Sequence, residues 1–299
     1  MDRQINIQSE QDRIHNYNHE VLTMLSNYLN NAPDFIMKDI VNEIVNDCNV
    51  SKKYAFTVLL AAACGLNINE NDKDKELFNG YFIPMVRELK RSDYYKNPYY
   101  RDIKIPDIII GKCELKNISY NPYEAFVCDD LVQKDDGRIT PQIGFFDSEF
   151  TYPALLEDER IWMTITPNEV ETMKEPIEQA TGDVLTYGLG LGYYTYMVSE
   201  KEEVSSVTVV EKNGDVIKIF NTYILPQFKN RSKIRIVNDD AYRYARKCMP
   251  NEHFDFVFAD LWHDVSDGLE MYLKMKEYEK SCPDTTFSYW IEKSIKCYL

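Results

Sequence analysis

Apolar residues recur at three different spacings along these 299 residues, and each spacing predicts a different kind of structure. Up to about residue 105 the period is helical. Val21, Leu22, Leu25 and Leu29 share one face, and Ile36, Ile40, Ile44 and Cys48 share another after the start signal Pro33-Asp34. Ser51 is placed to cap a third helix through Tyr54, Val58, Leu59 and Ala62, with Gly65 as a left-handed stop. A fourth helix is expected over 73–89, tolerating Gly80 and Pro84, while residues 1–16 read as a frayed or docked tail. From 106 to 165 shorter runs predict strands at 108–110, 113–115, 124–131, 143–146 and 161–165, with Asp135-Asp136-Gly137 as a hairpin turn. This stretch is expected to be a β-rich connector.

From Thr166 onward, strand and helix patterns alternate. Thr166-Pro-Asn-Glu169 has the form of a capping box with proline in the first helical position, which predicts a helix to about Ala180. Strands are expected at 183–187, 206–211, 233–237 and 254–260, separated by helices near 193–201, 214–225 and 240–248. Such alternation implies parallel pairing in a doubly wound, Rossmann-like α/β sheet that binds its ligand at the carboxyl ends of the strands. Only 39 residues follow Asp260, and Phe287, Trp290, Ile291, Ile295 and Tyr298 stand at helical spacing. A terminal helix is therefore expected in place of a fifth strand, leaving a sheet shortened at its C-terminal side. Its open edge would be a pairing hazard, to be covered by the connector, the terminal helix or another subunit. The resulting division is a helical region 1–105, a β-rich connector 106–165 and a cofactor domain 166–299.

The chemistry is concentrated in Asp183-Val-Leu-Thr-Tyr-Gly-Leu-Gly-Leu-Gly-Tyr-Tyr194, an apolar strand that runs into three glycines two apart and then into a helix. Gly188, Gly190 and Gly192 allow a sharp turn and a close approach to a ligand, and the helix behind them offers free N–H groups. Glu211 closes the next strand 19 residues beyond Gly192, where a carboxylate can accept from both hydroxyls of a ribose. Asp240 follows the third strand, placed to accept from an exocyclic adenine amine. Asp260 ends the fourth strand beside Trp262, His263 and Asp264, with His263 as a candidate general base and polar loop residue as its plainer reading. Tyr193 and Tyr194 read as first-turn core residues.

This ordered set resembles the class I S-adenosylmethionine-dependent methyltransferases and, nearly as closely, the spermidine-synthase branch of that superfamily, over roughly residues 166–265. The resemblance implies S-adenosylmethionine as cofactor, bound by Tyr187, Gly188, Gly190, Gly192, Glu211, Asp240, the backbone of Ala241, and Asp260. It implies a catalytic group drawn from Asp260, His263 and Asp264, with no metal. Two positions depart from the pattern. Thr186 stands where such families often have an acid two residues before the first glycine. Asp260 and Asp264 are four apart, whereas spermidine synthases carry two aspartates three apart.

Composition narrows the partners. The net charge is −15, concentrated in residues 1–180 with 31 acids against 19 bases, while residues 181–299 hold 18 and 15. Such a balance argues against a nucleic-acid partner and suits a neutral or cationic small molecule. Asn49-Val50-Ser51 could join a helix-turn-helix, but Lys52–Ala63 is mostly apolar after its two lysines, so a packed helical domain is expected. Asn121-Pro122-Tyr123 resembles part of an Asn-Pro-Pro-Tyr motif of base-methylating enzymes without the second proline, and reads as a turn. No apolar run approaches a membrane span, no signal peptide is seen, and seven scattered cysteines without Cys-x-x-Cys fit a reducing cytoplasm. Three functions follow as expectations: methyl transfer to a small acceptor, aminopropyl transfer, or a non-catalytic binding or assembly module. The region before residue 166 would then form the substrate side or a dimer surface.

Overall fold

The structure, a computed structural model, describes residues 2–299, and side chains from Glu10 onward. Its contacts gather the chain into two compact units: Met1–Arg91 with Ser119–Phe150, and Ser92–Ile118 with Thr151–Leu299. The strands expected between 106 and 165 are shared between the two.

The first unit places helices beside a small sheet. The segment expected as a tail is the start of one helix, Asp2–Asn31. Its inner face is set by Val21, Leu25 and Tyr28, all buried. Ser51 caps the helix Lys52–Ala63 by accepting from the Tyr54 N–H at 3.1 Å, and Gly65 follows in the left-handed region. Ala55, Phe56, Leu60 and Ala61 are buried, which spends the faces a groove-reading helix would need. The helix expected over 73–89 ends early. Asp72–Leu77 passes into a π-helical stretch Phe78–Phe82 containing Gly80, then into Ile83–Met85. Beyond Pro84 the chain becomes the strand Val86–Leu89, parallel to Ile139–Phe146, which pairs antiparallel with Phe126–Gln133. Phe56, Tyr123 and Phe145 stack between helix and sheet, Phe56 to Phe145 at 4.1 Å between centroids.

The second unit is the doubly wound α/β fold. Its five strands lie in the order Ile234–Asn238, Val204–Glu211, Gly182–Tyr187, Phe256–Ala259, Thr286–Tyr289, all parallel. In chain order this is 3-2-1-4-5, so the chain reverses direction across the sheet between its first and fourth strands. The fifth strand corrects the expectation of a terminal helix. Thr286–Tyr289 pairs with Phe256–Ala259, Ile291 takes a left-handed backbone, and only Glu292–Lys296 is helical. The helical spacing of Phe287, Trp290, Ile291, Ile295 and Tyr298 thus spans two elements.

A four-stranded sheet, in the order Ile108–Ile110, Cys113–Tyr120, Phe150–Glu157, Arg160–Thr164, also forms. The strand Phe150–Glu157 is hidden in the sequence by Pro153, whose carbonyl accepts from the Ile165 N–H. No described helix is long and apolar enough to cross a membrane.

Candidate functional site

A cavity of about 450 Å³ opens at the carboxyl ends of the parallel strands, within the size range of small-molecule sites. It is lined by Gly188 after the first strand, Glu211 at the end of the second, Asp240 and Ala241 after the third, and Asp260 after the fourth. The last and the first flank the strand-order reversal, which is where open α/β sheets bind ligands.

The three loop glycines meet different demands. Gly188 has φ +95°, and a Cβ there would lie 2.0 Å from the Asp260 carbonyl oxygen, so the glycine lets the two strand ends close on one another. Gly190 has φ +53° with only Met163 Sδ near its missing side chain, at 3.8 Å, and both border the cavity. Gly192, expected at the cofactor, is a packing glycine: a Cβ would lie 2.3 Å from the Phe220 ring, and the residue does not line the cavity. Tyr187, from the same expected set, turns into the core, donating to Met249 Sδ at 3.3 Å, while its carbonyl accepts from the Asp260 N–H.

Each acid has its own environment. Glu211 is buried and spans two backbone donors, accepting from Leu189 N–H at 3.2 Å and Asn213 N–H at 2.7 Å. It pins the glycine loop to the second strand, and each carboxylate oxygen keeps a further lone pair. Asp240 caps the helix Ala241–Lys247 by accepting from the Arg243 N–H at 2.9 Å. Asp260 is pushed up to about 7, first by burial and then by the charge on Glu211.

Glu169 is the residue the sequence concealed. Thr166 forms no side-chain cap, and the expected continuous helix is two short ones, Pro167–Thr172 and Lys174–Gln179. The capping box therefore does not form, and Glu169 lines the cavity. Burial drives its carboxyl well above the ordinary range, and the Asp260 charge adds to this. Its position in a motif with a plain structural meaning was the reason it gave no functional signal.

At the mouth, His263 Nδ1 lies 2.9 Å from Asp267 Oδ2, and the Asp267 carboxylate also accepts from the His263 and Asp264 N–H groups. The imidazole stands edge-on to Trp162, 4.3 Å between centroids. Asp264, expected in the catalytic group, instead caps the helix Val265–Glu279 by accepting from the Ser266 N–H and hydroxyl, both at 2.6 Å, and does not line the cavity. Asp267, on the first turn of that helix and four residues after His263, lines the cavity instead.

Tyrosines hold the walls. Tyr99 donates to the Leu191 carbonyl at 2.5 Å, Tyr100 to that of Ile165, and Asn97 to the Tyr193 hydroxyl at 2.9 Å. Trp290 Nε1 donates to Thr172 Oγ1 at 2.9 Å, tying the end of the fifth strand to the helix that carries Glu169. Against this background of satisfied groups, Tyr194 Oη, Tyr242 Oη and Trp262 Nε1 are buried without a partner, and all three residues line the cavity. Orphaned polar atoms there suit a site that a polar ligand completes.

No family model and no curated protein matches the chain. Among solved structures it is similar to a spermidine synthase from Thermotoga maritima at 18% identity and TM-score 0.34, covering 50% of this chain and 57% of that one. It is also similar to a conserved hypothetical protein from Streptococcus pyogenes at 19% identity and TM-score 0.28, covering 33% and 61%. A spermidine synthase in complex with the transition-state analogue AdoDATO matches at 20% identity and TM-score 0.32, covering 47% and 52%. The match thus spans little more than half the length of those chains.

Proposed function

We propose that the second unit binds an S-adenosylmethionine-type nucleoside and transfers its electrophilic carbon group, a methyl, to a small-molecule acceptor. One observation carries this reading: Gly188, Glu211, Asp240 and Asp260, spread over 73 residues of sequence, converge on one cavity at the strand-order reversal. The residues fit such a ligand. Glu211 retains acceptor capacity for ribose hydroxyls, Asp240 and the Ala241 backbone lie at the end of the third strand for the base, and Asp260 lies at the opposite side of the loop. When bound, the sulfonium supplies an activated carbon, and the chain's task is alignment. With Nδ1 held by Asp267, His263 has Nε2 left to take a proton from an acceptor oxygen or nitrogen.

A second reading, aminopropyl transfer, is favoured by the acids themselves. The described residues lining the cavity include Glu169, Glu211, Asp239, Asp240, Asp260 and Asp267 against Lys212 and His263. A donor without a carboxylate is at less of a disadvantage there. Calorimetric titration with S-adenosylmethionine, S-adenosylhomocysteine, decarboxylated S-adenosylmethionine and NAD separates the readings. Micromolar binding of the first two, lost in Glu211→Ala, supports methyl transfer; preference for the third supports aminopropyl transfer; binding of none sinks both.

A further inference from the structure

Thr186 is buried and lines the cavity, so the first strand brings no carboxylate to it. A carboxylate nevertheless arrives by another route. Glu169 reaches the cavity from the helix before the sheet, and Asp260, whose charge acts on it, reaches the cavity from the strand after the reversal. No hydrogen bond or ion pair engages the Glu169 side chain among the described residues, whereas Glu211 of the same cavity accepts two backbone N–H groups. Tyr194 supplies a second polar group on the same wall, its hydroxyl buried and unpartnered.

Resting on the nucleoside reading above, we propose that Glu169 is the specificity-determining carboxylate of this cavity: with Asp260 it receives a positively charged group, ammonium or sulfonium, carried by the nucleoside ligand. Two carboxyls that share a cavity and repel one another do not both ionise readily, so without a cation the pair retains a proton. An arriving cation makes the doubly ionised pair the favoured form, and that proton leaves to solvent. The other groups nearby do not replace the cation. Glu211 adds negative charge to Asp260, and the Tyr193 hydroxyl near Glu169 is itself raised to about 12 by burial. Across the cavity, Asp239 and Asp240 are engaged by the Arg243 side chain and N–H, and His263 by Asp267. Lys212, next to Glu211 in sequence, is the remaining basic residue of the lining.

The test compares S-adenosylmethionine with 5′-methylthioadenosine, which keeps the nucleoside and sulfur but has neither sulfonium nor ammonium, by calorimetry on wild type, Glu169→Gln and Asp260→Asn. Wild type is expected to bind the cationic ligand roughly 10- to 100-fold tighter, the range of a charged hydrogen bond. Glu169→Gln should remove most of that preference while changing 5′-methylthioadenosine affinity by less than about threefold. Repeating the wild-type titration at pH 6 in buffers of different ionisation enthalpy should show net proton release with S-adenosylmethionine and none with the neutral nucleoside. Equal preference in wild type and Glu169→Gln, or no proton release, overturns the proposal. Failure of wild type to bind either compound instead overturns the nucleoside reading. Thermal melting of each variant guards against misfolding, and a variant that melts below wild type is replaced by Glu169→Met, whose uncharged chain of similar length carries the same expectation.

Discussion

The first unit and the cavity of the second treat their acids in opposite ways. In the first, carboxylates sit at the surface with cations: Lys52 on Asp147 at 2.7 Å, Arg13 on Glu76 at 2.8 Å, Arg87 on Asp129 at 2.9 Å. Lys52 accordingly holds the Asp147 carboxyl below its ordinary range. In that cavity, no ion pair among the described residues engages Glu169 or Asp260, and both are pushed upward. Folding alone explains the first pattern, since exposed pairs cost little and contribute little. It does not explain the second, which stores unfavourable electrostatics where a ligand can relieve them.

The largest effect expected from a single substitution falls on the loop between these acids. Gly192→Ala places a Cβ against Phe220 at a left-handed backbone position, and should destabilise the second unit by about 2–4 kcal/mol in urea denaturation. Next comes the pH dependence of stability. The folded Asp260 carboxyl is raised from 3.8 to about 7, so it binds a proton more tightly folded than unfolded. Its contribution is intact below about pH 4 and is lost as pH rises to 7; the shift corresponds to roughly 4 kcal/mol, which solvent screening of the partly exposed carboxyl reduces to on the order of 2–3 kcal/mol. Asp260→Asn should therefore be more stable than wild type at pH 8 and lose that slope. A smaller effect is expected for Asp267→Ala, which removes acceptors from two backbone N–H groups at the start of Val265–Glu279 and frees His263. About 1 kcal/mol should be lost, with kcat falling more than KM changes once an acceptor is known. Smallest is Lys52→Met in the first unit, at most about 1 kcal/mol and less in high salt. If it proved as costly as the cavity substitutions, the contrast between the units would collapse.

Much of the second unit is legible in the sequence because its signals are local. The glycine loop, the acid closing the second strand and Asp260 at the end of the fourth are each set by adjacent residues, and the parallel order follows from strand and helix alternation. What escapes depends on tertiary context. Thr286–Tyr289 is a strand because Phe256–Ala259 offers an edge, which four residues inside a helical spacing cannot reveal. The same holds in the first unit for Val86–Leu89, carried past Pro84 into pairing with Ile143–Phe146. Glu169 fits a capping box and is drawn instead to a cavity assembled by strands downstream. Nothing local marks Tyr99 and Tyr100, yet their hydroxyls reach the Leu191 carbonyl of the glycine loop and the Ile165 carbonyl just beyond the strand Arg160–Thr164.

The most direct check is a crystal structure of the protein soaked with S-adenosylhomocysteine. Density is expected along the carboxyl ends of the parallel strands, with ribose hydroxyls on Glu211, the base beside Asp240 and Ala241, and the amino group between Glu169 and Asp260. An empty cavity at saturating ligand, or ligand bound elsewhere, would contradict the assignment of this cavity as the site.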